Sequence, residues 1–263
     1  MVGMKVVVCV KQIPDPAVVG SLDEAFRLRR TGKVILDDAD TYGVEVALRL
    51  VEAAGEGEVS LVSMGDATDV TGIRSALAMG AVRATVVSDP LLRGADALTT
   101  AKVLAAVISR DEPDIVIAAT ESSDGYTGTL PVQLACLLEL PAVTFATSVA
   151  IEGGVVVAQR QTEAGYDEVR AALPAVVTVT AGVVEPRYAT FKGIMAAKSK
   201  PVDVLTVADL GLDAHSFAVR QEVVSVEVTP EKSAGEKFVD DGTGAQRIIA
   251  YLERGKVLSG GGS

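Results

Sequence analysis

Residues 120–129, TESSDGYTGT, hold the residue types that a phosphate group calls for. The stretch follows an apolar run, DIVIAA, and precedes a helical pattern, so it reads as a strand-to-helix turn. Backbone amides at such a turn, helped by the helix dipole, favour an anion. Gly125 and Gly128 let the backbone approach a ligand, Thr127 and Thr129 can donate hydroxyls, and Asp124 and Tyr126 complete the loop. A polar capping loop without a ligand satisfies the same pattern. Three further segments fall at strand ends on the same rim: Cys9, Val10 and Lys11; Asp37, Asp38, Ala39 and Asp40; and Met64 with Gly65. Ligands of open α/β sheets sit outside the carboxyl ends of the strands. Convergence of these loops favours an adenine-nucleotide pocket over what one loop would suggest, although Asp37–Asp40 also fits a plain helix N-cap cluster.

A second constellation lies at 183–201, VVEPRYATFKGIMAAKSKP. Residues 185–200 carry one acid and four bases inside a chain of net charge −11. Tyr188, Phe191, Ile194 and Met195 stand among Lys192, Lys198 and Lys200. Apolar anchors beside basic residues suit docking to an acidic protein surface, where charge steers the encounter. An amphipathic surface helix with basic residues kept for solubility would look the same.

Side-chain catalysis finds little here. The one histidine, His215, has no neighbours that resemble a triad or a metal site and reads as a solvated side chain. Hydrolase, metalloprotease, P-loop and Rossmann signatures are absent. Cys9 and Cys136 have no zinc or disulfide spacing and read as reduced thiols of a cytoplasmic protein.

The elements that must position these residues alternate. Strands are predicted at 4–10, 33–37, 58–63, 83–88, 114–119 and 174–180, with a polar connection over 11–32. Helices are predicted from 38 to the Gly55 region, at 66–79 with Asp66 as N-cap and Gly80 as stop, and at 95–110 and 127–139. A hairpin-like insertion spans 149–171, turning at Gly153–Gly154. This order implies an α/β fold, a mostly parallel sheet with helices on both faces. The division expected is an α/β nucleotide-binding domain over 1–205 and a C-terminal arm over 206–263. The arm ends in an amphipathic helix near 244–255, with Ile248, Ile249 and Leu252 on one stripe, and a flexible SGGGS. An arm so poor in apolar pattern wraps a partner or crosses the domain surface.

Composition agrees. With 49% hydrophobic residues, no Trp and ten Phe and Tyr together, the core must be aliphatic. An acidic chain lacks the basic face that nucleic acid requires. No apolar run reaches the length of a membrane span, and no signal peptide is expected.

PAVVTVT followed by EPRY-x-x-x-KGIM-x-AK resembles the signature of electron-transfer flavoprotein beta subunits. VVVCVKQIPD, IRSALAMGA, SSDG and AGEKF fit the family in the expected order, over roughly residues 4 to 252, with actinobacterial-type members most similar. The resemblance implies an adenine-nucleotide-hydrolase-like domain that pairs with an alpha subunit holding most of the FAD. It implies AMP in this subunit, at the four rim segments named above. It implies a recognition segment with Phe191 as anchor, Ile194 and Met195 as support, and Lys192, Lys198 and Lys200 assisting encounter. The arm would embrace the alpha subunit. Electrons would come from acyl-CoA dehydrogenase-type flavoproteins and leave toward a quinone oxidoreductase, in fatty acid oxidation, with no catalytic side chain needed. The sequence departs from many members at Asp37–Asp38, where they carry Asn-Pro, and at Pro16, where some carry an aromatic. Two alternatives stay open: a bifurcating member with a second FAD here, and a free-standing nucleotide-binding protein of the universal-stress type.

Overall fold

A computed structural model describes residues 3–213, 223–227, 229 and 235–258. His215 and the closing SGGGS lie outside them, as does Ala234 of AGEKF. The chain divides into two units, Met1–Val224 and Ser225–Ser263.

The first unit is built on a nine-stranded sheet. Its strands are β1 (Met4–Cys9), β4 (Gly57–Met64), β5 (Arg83–Val87), β6 (Ile115–Ala119), β7 (Ala142–Glu152), β8 (Val155–Thr162), β9 (Gly165–Ala172), β10 (Ala175–Val179) and β11 (Val202–Leu205). A separate two-stranded ribbon pairs β2 (Gln12–Pro14) with β3 (Val34–Leu36). The order across the large sheet is β11-β5-β4-β1-β6-β10-β7-β8-β9. The seven strands from β11 to β7 run parallel, and β8 and β9 extend the sheet antiparallel. Five helices accompany the sheet: α1 (Asp38–Ala54), α2 (Thr71–Met79), α3 (Ala97–Asp111), α4 (Leu130–Leu138) and α5 (Phe191–Ala197).

Period-two alternation sends successive strand residues to opposite faces. Val6 and Val8 join Ile115, Ile117, Leu61 and Val177 in one core under α1 and α2. Val7 and Cys9 join Val116, Val62 and Val176 in the other, under α3 and α4. Both faces of the central strands are covered, so their sequences read as continuous apolar runs. Val207 and Leu210, just past β11, pack into the second core.

Four elements differ from the sequence expectation, the first being β2, a strand within the stretch 11–32 expected to be a polar connection. Helix α2 starts at Thr71, not at 66, because Asp66 turns back on the amide of Thr68 and Asp69 on that of Thr71. The amides of Gly72 and Ile73 are received instead by Gln12 Oε1, from a strand sixty residues away, which no local pattern reveals. The insertion after α4 is a three-stranded meander, with β7 starting seven residues before the expected hairpin. β11 follows the basic segment and had no counterpart in the sequence reading; its four residues lie partly open beside β5.

The second unit contains α6 (Gly244–Arg254), whose first turn is fastened by Asp240 accepting the amides of Gly242 and Gly244. Ile248, Ile249 and Tyr251 are exposed along it.

Ile117 is fully buried at the centre of the sheet. Ile117→Ala is expected to destabilise the chain by about 2–5 kcal/mol in urea unfolding. A loss under about 1 kcal/mol would mean that this core collapses onto the cavity.

Candidate functional site at the switch point of the sheet

From β1 the chain winds outward through β4 and β5, then returns to lay β6 on the other side of β1. The order of strands therefore reverses between β1 and β6, and the loops after these two strands part to opposite faces. Such a reversal opens a crevice at the carboxyl ends. Lys11 leaves β1 there, and residues 120–129 leave β6.

Buried carboxylates tie the two loops together. Asp37, 1% exposed, caps α1 by accepting the Ala39 amide through Oδ1, and accepts the Ser123 amide through Oδ2 at 2.7 Å. Asp40, also buried, accepts the Lys11 amide at 2.6 Å. The Lys11 ammonium reaches across the crevice to Asp124 Oδ1 at 2.5 Å and Ser122 Oγ at 3.1 Å. Arg30, from the long connection between β2 and β3, closes on the other Asp124 oxygen at 2.5 Å. Sequence reasoning missed Arg30; the only signal was its place in the basic run RLRR.

These contacts set the local electrostatics. Burial pushes the Asp40 carboxyl well above the usual carboxylate range, and Asp37 and Asp124 push the same way, against the Lys11 contacts. Burial opposes ionisation of Asp124 too, but the Lys11 bond and charge, with Arg30, outweigh it and hold Asp124 below the ordinary value. The Cys9 thiol is pushed up to about 12 by burial, with Asp40 adding to it, so it stays protonated and unreactive.

A cavity of ≈ 210 Å³ opens beside this cluster, lined by Ala39, Thr120, Glu121, Ser123, Tyr126 and Val179 among others. Of the residues singled out in the sequence, Ala39 and Tyr126 line it. Asp37 and Asp40 work behind it as fasteners, and Asp38 is exposed at the start of α1. Met64 and Gly65 end β4, one strand beyond β1; Cys9 and Val10 are buried on β1 and just past it. None of these four lines the cavity. Gly125 lies against the cation: a Cβ there would stand 2.9 Å from Ser122 Oγ and 3.7 Å from Lys11 Nζ. Gly128 has φ +62 and Tyr126 φ +47, so the loop turns twice through the left-handed region before α4. Thr129 stands at the N-cap of α4 without a side-chain cap bond, in contrast to Asp37 on α1 and Asp96 on α3. Thr127 is exposed beside it. The crevice thus offers a helix amino end, two glycines, hydroxyls and two cations, Lys11 and Arg30, a donor set that fits a phosphate.

The basic segment occupies a separate surface. Phe191 is 81% exposed and Tyr188 90%, with Ile194 and Met195 about half exposed. Lys192, in the first turn of α5, and Lys198, at its C-cap, are exposed. The structure places Lys200 elsewhere: its ammonium donates to the carbonyls of Leu77 and Ala81 at the end of α2, and burial lowers its pKa. That geometry suits a helix C-cap and leaves the ammonium little freedom for a distant partner.

The family description "electron transfer flavoprotein domain" matches residues 26–210. The chain belongs to the electron transfer flavoprotein family. It is 37% identical to an electron transfer flavoprotein subunit beta of Mycobacterium tuberculosis over 263 residues, covering 96% of this chain and 99% of the relative. The beta subunit of Thermoanaerobacterium thermosaccharolyticum is 34% identical over 240 residues, covering 89% and 92%. That of Methylophilus methylotrophus is 32% identical over 264 residues, covering 95% and 97%. The resemblance to electron-transfer flavoprotein beta subunits, actinobacterial ones included, therefore holds over nearly the whole chain. A free-standing nucleotide sensor of the universal-stress type does not account for a match of this length. Within the family fold, the switch-point crevice and the exposed face of α5 are two places where chemistry-bearing residues gather.

A carboxyl whose folded pKa is raised lends stability that is complete below the unfolded value, about 4, and lost as pH rises through the folded value. Asp40→Asn is expected to remove that loss. Its urea midpoint should fall less, or rise more, between pH 4.5 and pH 8 than that of the unsubstituted chain. Identical pH profiles would show that Asp40 titrates as an ordinary carboxylate.

Proposed function

We propose that this chain is the beta subunit of an electron-carrying heterodimer whose alpha subunit holds most of the FAD. In this reading, electrons arrive from acyl-CoA dehydrogenase-type flavoproteins and leave toward a quinone oxidoreductase, in the cytoplasm, in support of fatty acid oxidation. The observation that carries it is the 37% identity with a beta subunit across nearly the whole chain. The bound flavin supplies the redox chemistry, and the chain supplies binding, orientation and electrostatics.

The switch-point crevice takes AMP as a structural ligand. The phosphate lies at the amino end of α4, against Gly125, Gly128, Thr127 and Thr129, and competes with Asp124 for Lys11. The adenosine side enters the cavity along Ala39, Thr120 and Tyr126. Support comes from the uncapped start of α4 and from the glycine opposite Lys11. AMP bound there stabilises the folded chain by linkage and takes no part in electron transfer.

Phe191 is the docking anchor for the dehydrogenase, with Ile194 and Met195 beside it and Lys192 and Lys198 steering the approach. An exposed phenylalanine on a basic segment of an acidic chain supports this role. The stretch beyond the compact α/β unit embraces the alpha subunit. Among the described residues no helix is long and apolar enough to cross a membrane.

Co-expression with an alpha subunit, followed by release and chromatographic identification of the ligands, is expected to give one FAD and one AMP per heterodimer. Two FAD and no AMP would identify a bifurcating member with a flavin in this chain. Gly125→Val is expected to lower nucleotide retention, since its side chain displaces Ser122 or Lys11; full occupancy would move the ligand elsewhere. Phe191→Ala is expected to slow reduction of the heterodimer by the dehydrogenase about tenfold or more, in line with loss of an interface anchor. Unchanged kinetics would remove Phe191 from the docking face.

A further inference from the structure

Glu45 is a carboxylate in the middle of α1 with 2% exposure, far along the chain from the basic segment. Such a group must be paired and fully bonded to be tolerated. Its Oε1 accepts from Arg49 Nε at 2.7 Å and from an Arg187 terminal nitrogen at 3.2 Å. Its Oε2 accepts from Arg187 Nε at 2.7 Å and from the Arg187 backbone amide at 3.1 Å. The guanidinium of Arg187 also forks onto Glu52, two turns further along α1, at 2.6 and 3.1 Å. Arg49 completes the clasp by donating to the Glu185 carbonyl at 3.1 Å. Burial opposes ionisation of Glu45, but the Arg187 and Arg49 bonds outweigh it and keep the carboxyl below its ordinary range.

Arg187 is followed at once by the exposed residues. Tyr188 is next, Thr190 caps α5 by accepting the Gly193 amide, and Phe191, Ile194 and Met195 ride on that helix. Seven residues are too few for a helix to hold itself in water. Its far end is bonded by Arg74, which donates to the carbonyls of Ala197 and Lys200. Its middle is pressed on α2, where a Cβ at Gly193 would stand 2.5 Å from the Ala78 carbonyl oxygen. Its near end has the Glu45–Arg187 clasp. An apolar docking face gains affinity when its ordering is completed before the partner arrives.

We propose that Glu45, Arg187 and Glu52 are positioning residues for docking: the clasp fixes the entry of the chain into α5 and so presents Phe191 in its binding orientation. The inference rests on the docking role of Phe191. Glu45 itself is buried and touches no partner; it acts through Arg187.

The test uses the assembled heterodimer with its FAD, reduced by an acyl-CoA dehydrogenase, well below the unfolding temperature. Glu45→Gln is expected to raise KM for the heterodimer about three- to tenfold, the scale of ordering one or two side chains on binding, and to move kcat less. In a Phe191→Ala background the same substitution is expected to add little, because the oriented anchor is already gone. Glu52→Gln, at an exposed carboxylate, is the milder variant should Glu45→Gln not assemble, and is expected to shift KM in the same direction. If Phe191→Ala raises KM while both clasp variants leave it unchanged, positioning by the clasp is wrong and the docking reading stands. If Phe191→Ala has no effect, the docking reading fails and this inference with it. Equal effects of Glu45→Gln with and without Phe191 would assign the clasp to general stability alone and overturn the proposal.

Discussion

The hydrogen bonds from Asp37 and Asp40 are the constraint on which the rest of the site depends. Asp37 is the N-cap of α1 and Asp40 sits in its first turn, and both are buried. Between them they fasten the helix start, the backbone leaving β1 at Lys11 and the loop leaving β6 at Ser123. Parallel strands cannot be joined by tight turns, so loops that meet at a switch point come from distant parts of the sequence. Without a carboxylate bridging them, nothing in the sheet would set the width of the crevice. The arrangement has an electrostatic cost: burial first, and then the crowding of Asp37 and Asp124, raise the Asp40 pKa. Lys11 and Arg30 offset that crowding at Asp124. The cations that could meet a phosphate are thus already engaged, and a ligand has to compete with a carboxylate for them.

The basic segment solves a different problem. It keeps large apolar side chains in water without letting them collapse onto the protein. A seven-residue helix does this because its neighbours supply what its length cannot: a clasp from α1 at one end, a close backbone contact with α2 in the middle, and Arg74 at the other end. The segment's positive charge is therefore partly internal. Arg187 and Lys200 are spent on holding the platform, and Lys192 and Lys198 are left facing outward.

How much of this was legible in the sequence depended on range. Strands such as IVIAA and AVVTV announced themselves because burial on both faces leaves almost no polar position, the buried Thr178 excepted. The start of α1 was legible because its cap, Asp37, is local. The start of α2 was misread because its cap comes from Gln12, and Asp66 offered a more familiar but false signal. β9 and β11 stayed hidden because edge strands with exposed charges alternate weakly. The rim loops were correctly placed at strand ends. Which of their side chains face a ligand and which face backbone depends on pairings across 29 to 113 residues, such as Lys11 with Asp40 and with Asp124, and no spacing encodes these. The roles of Arg187 and Lys200 were hidden for the same reason.

Helices α2 and α5 share their ends. Arg74 of α2 donates to the Ala197 carbonyl at the end of α5, and Lys200, just past α5, donates to the Leu77 carbonyl in the last turn of α2. Neither helix can fray at its carboxyl end without releasing a donor from the other. In hydrogen-exchange language, helices tied end to end in this way are expected to open together. The amino end of α2 is held by Gln12, the neighbour of Lys11. A continuous run of hydrogen bonds thus links α5 through α2 to Gln12, the neighbour of Lys11 at the mouth of the crevice.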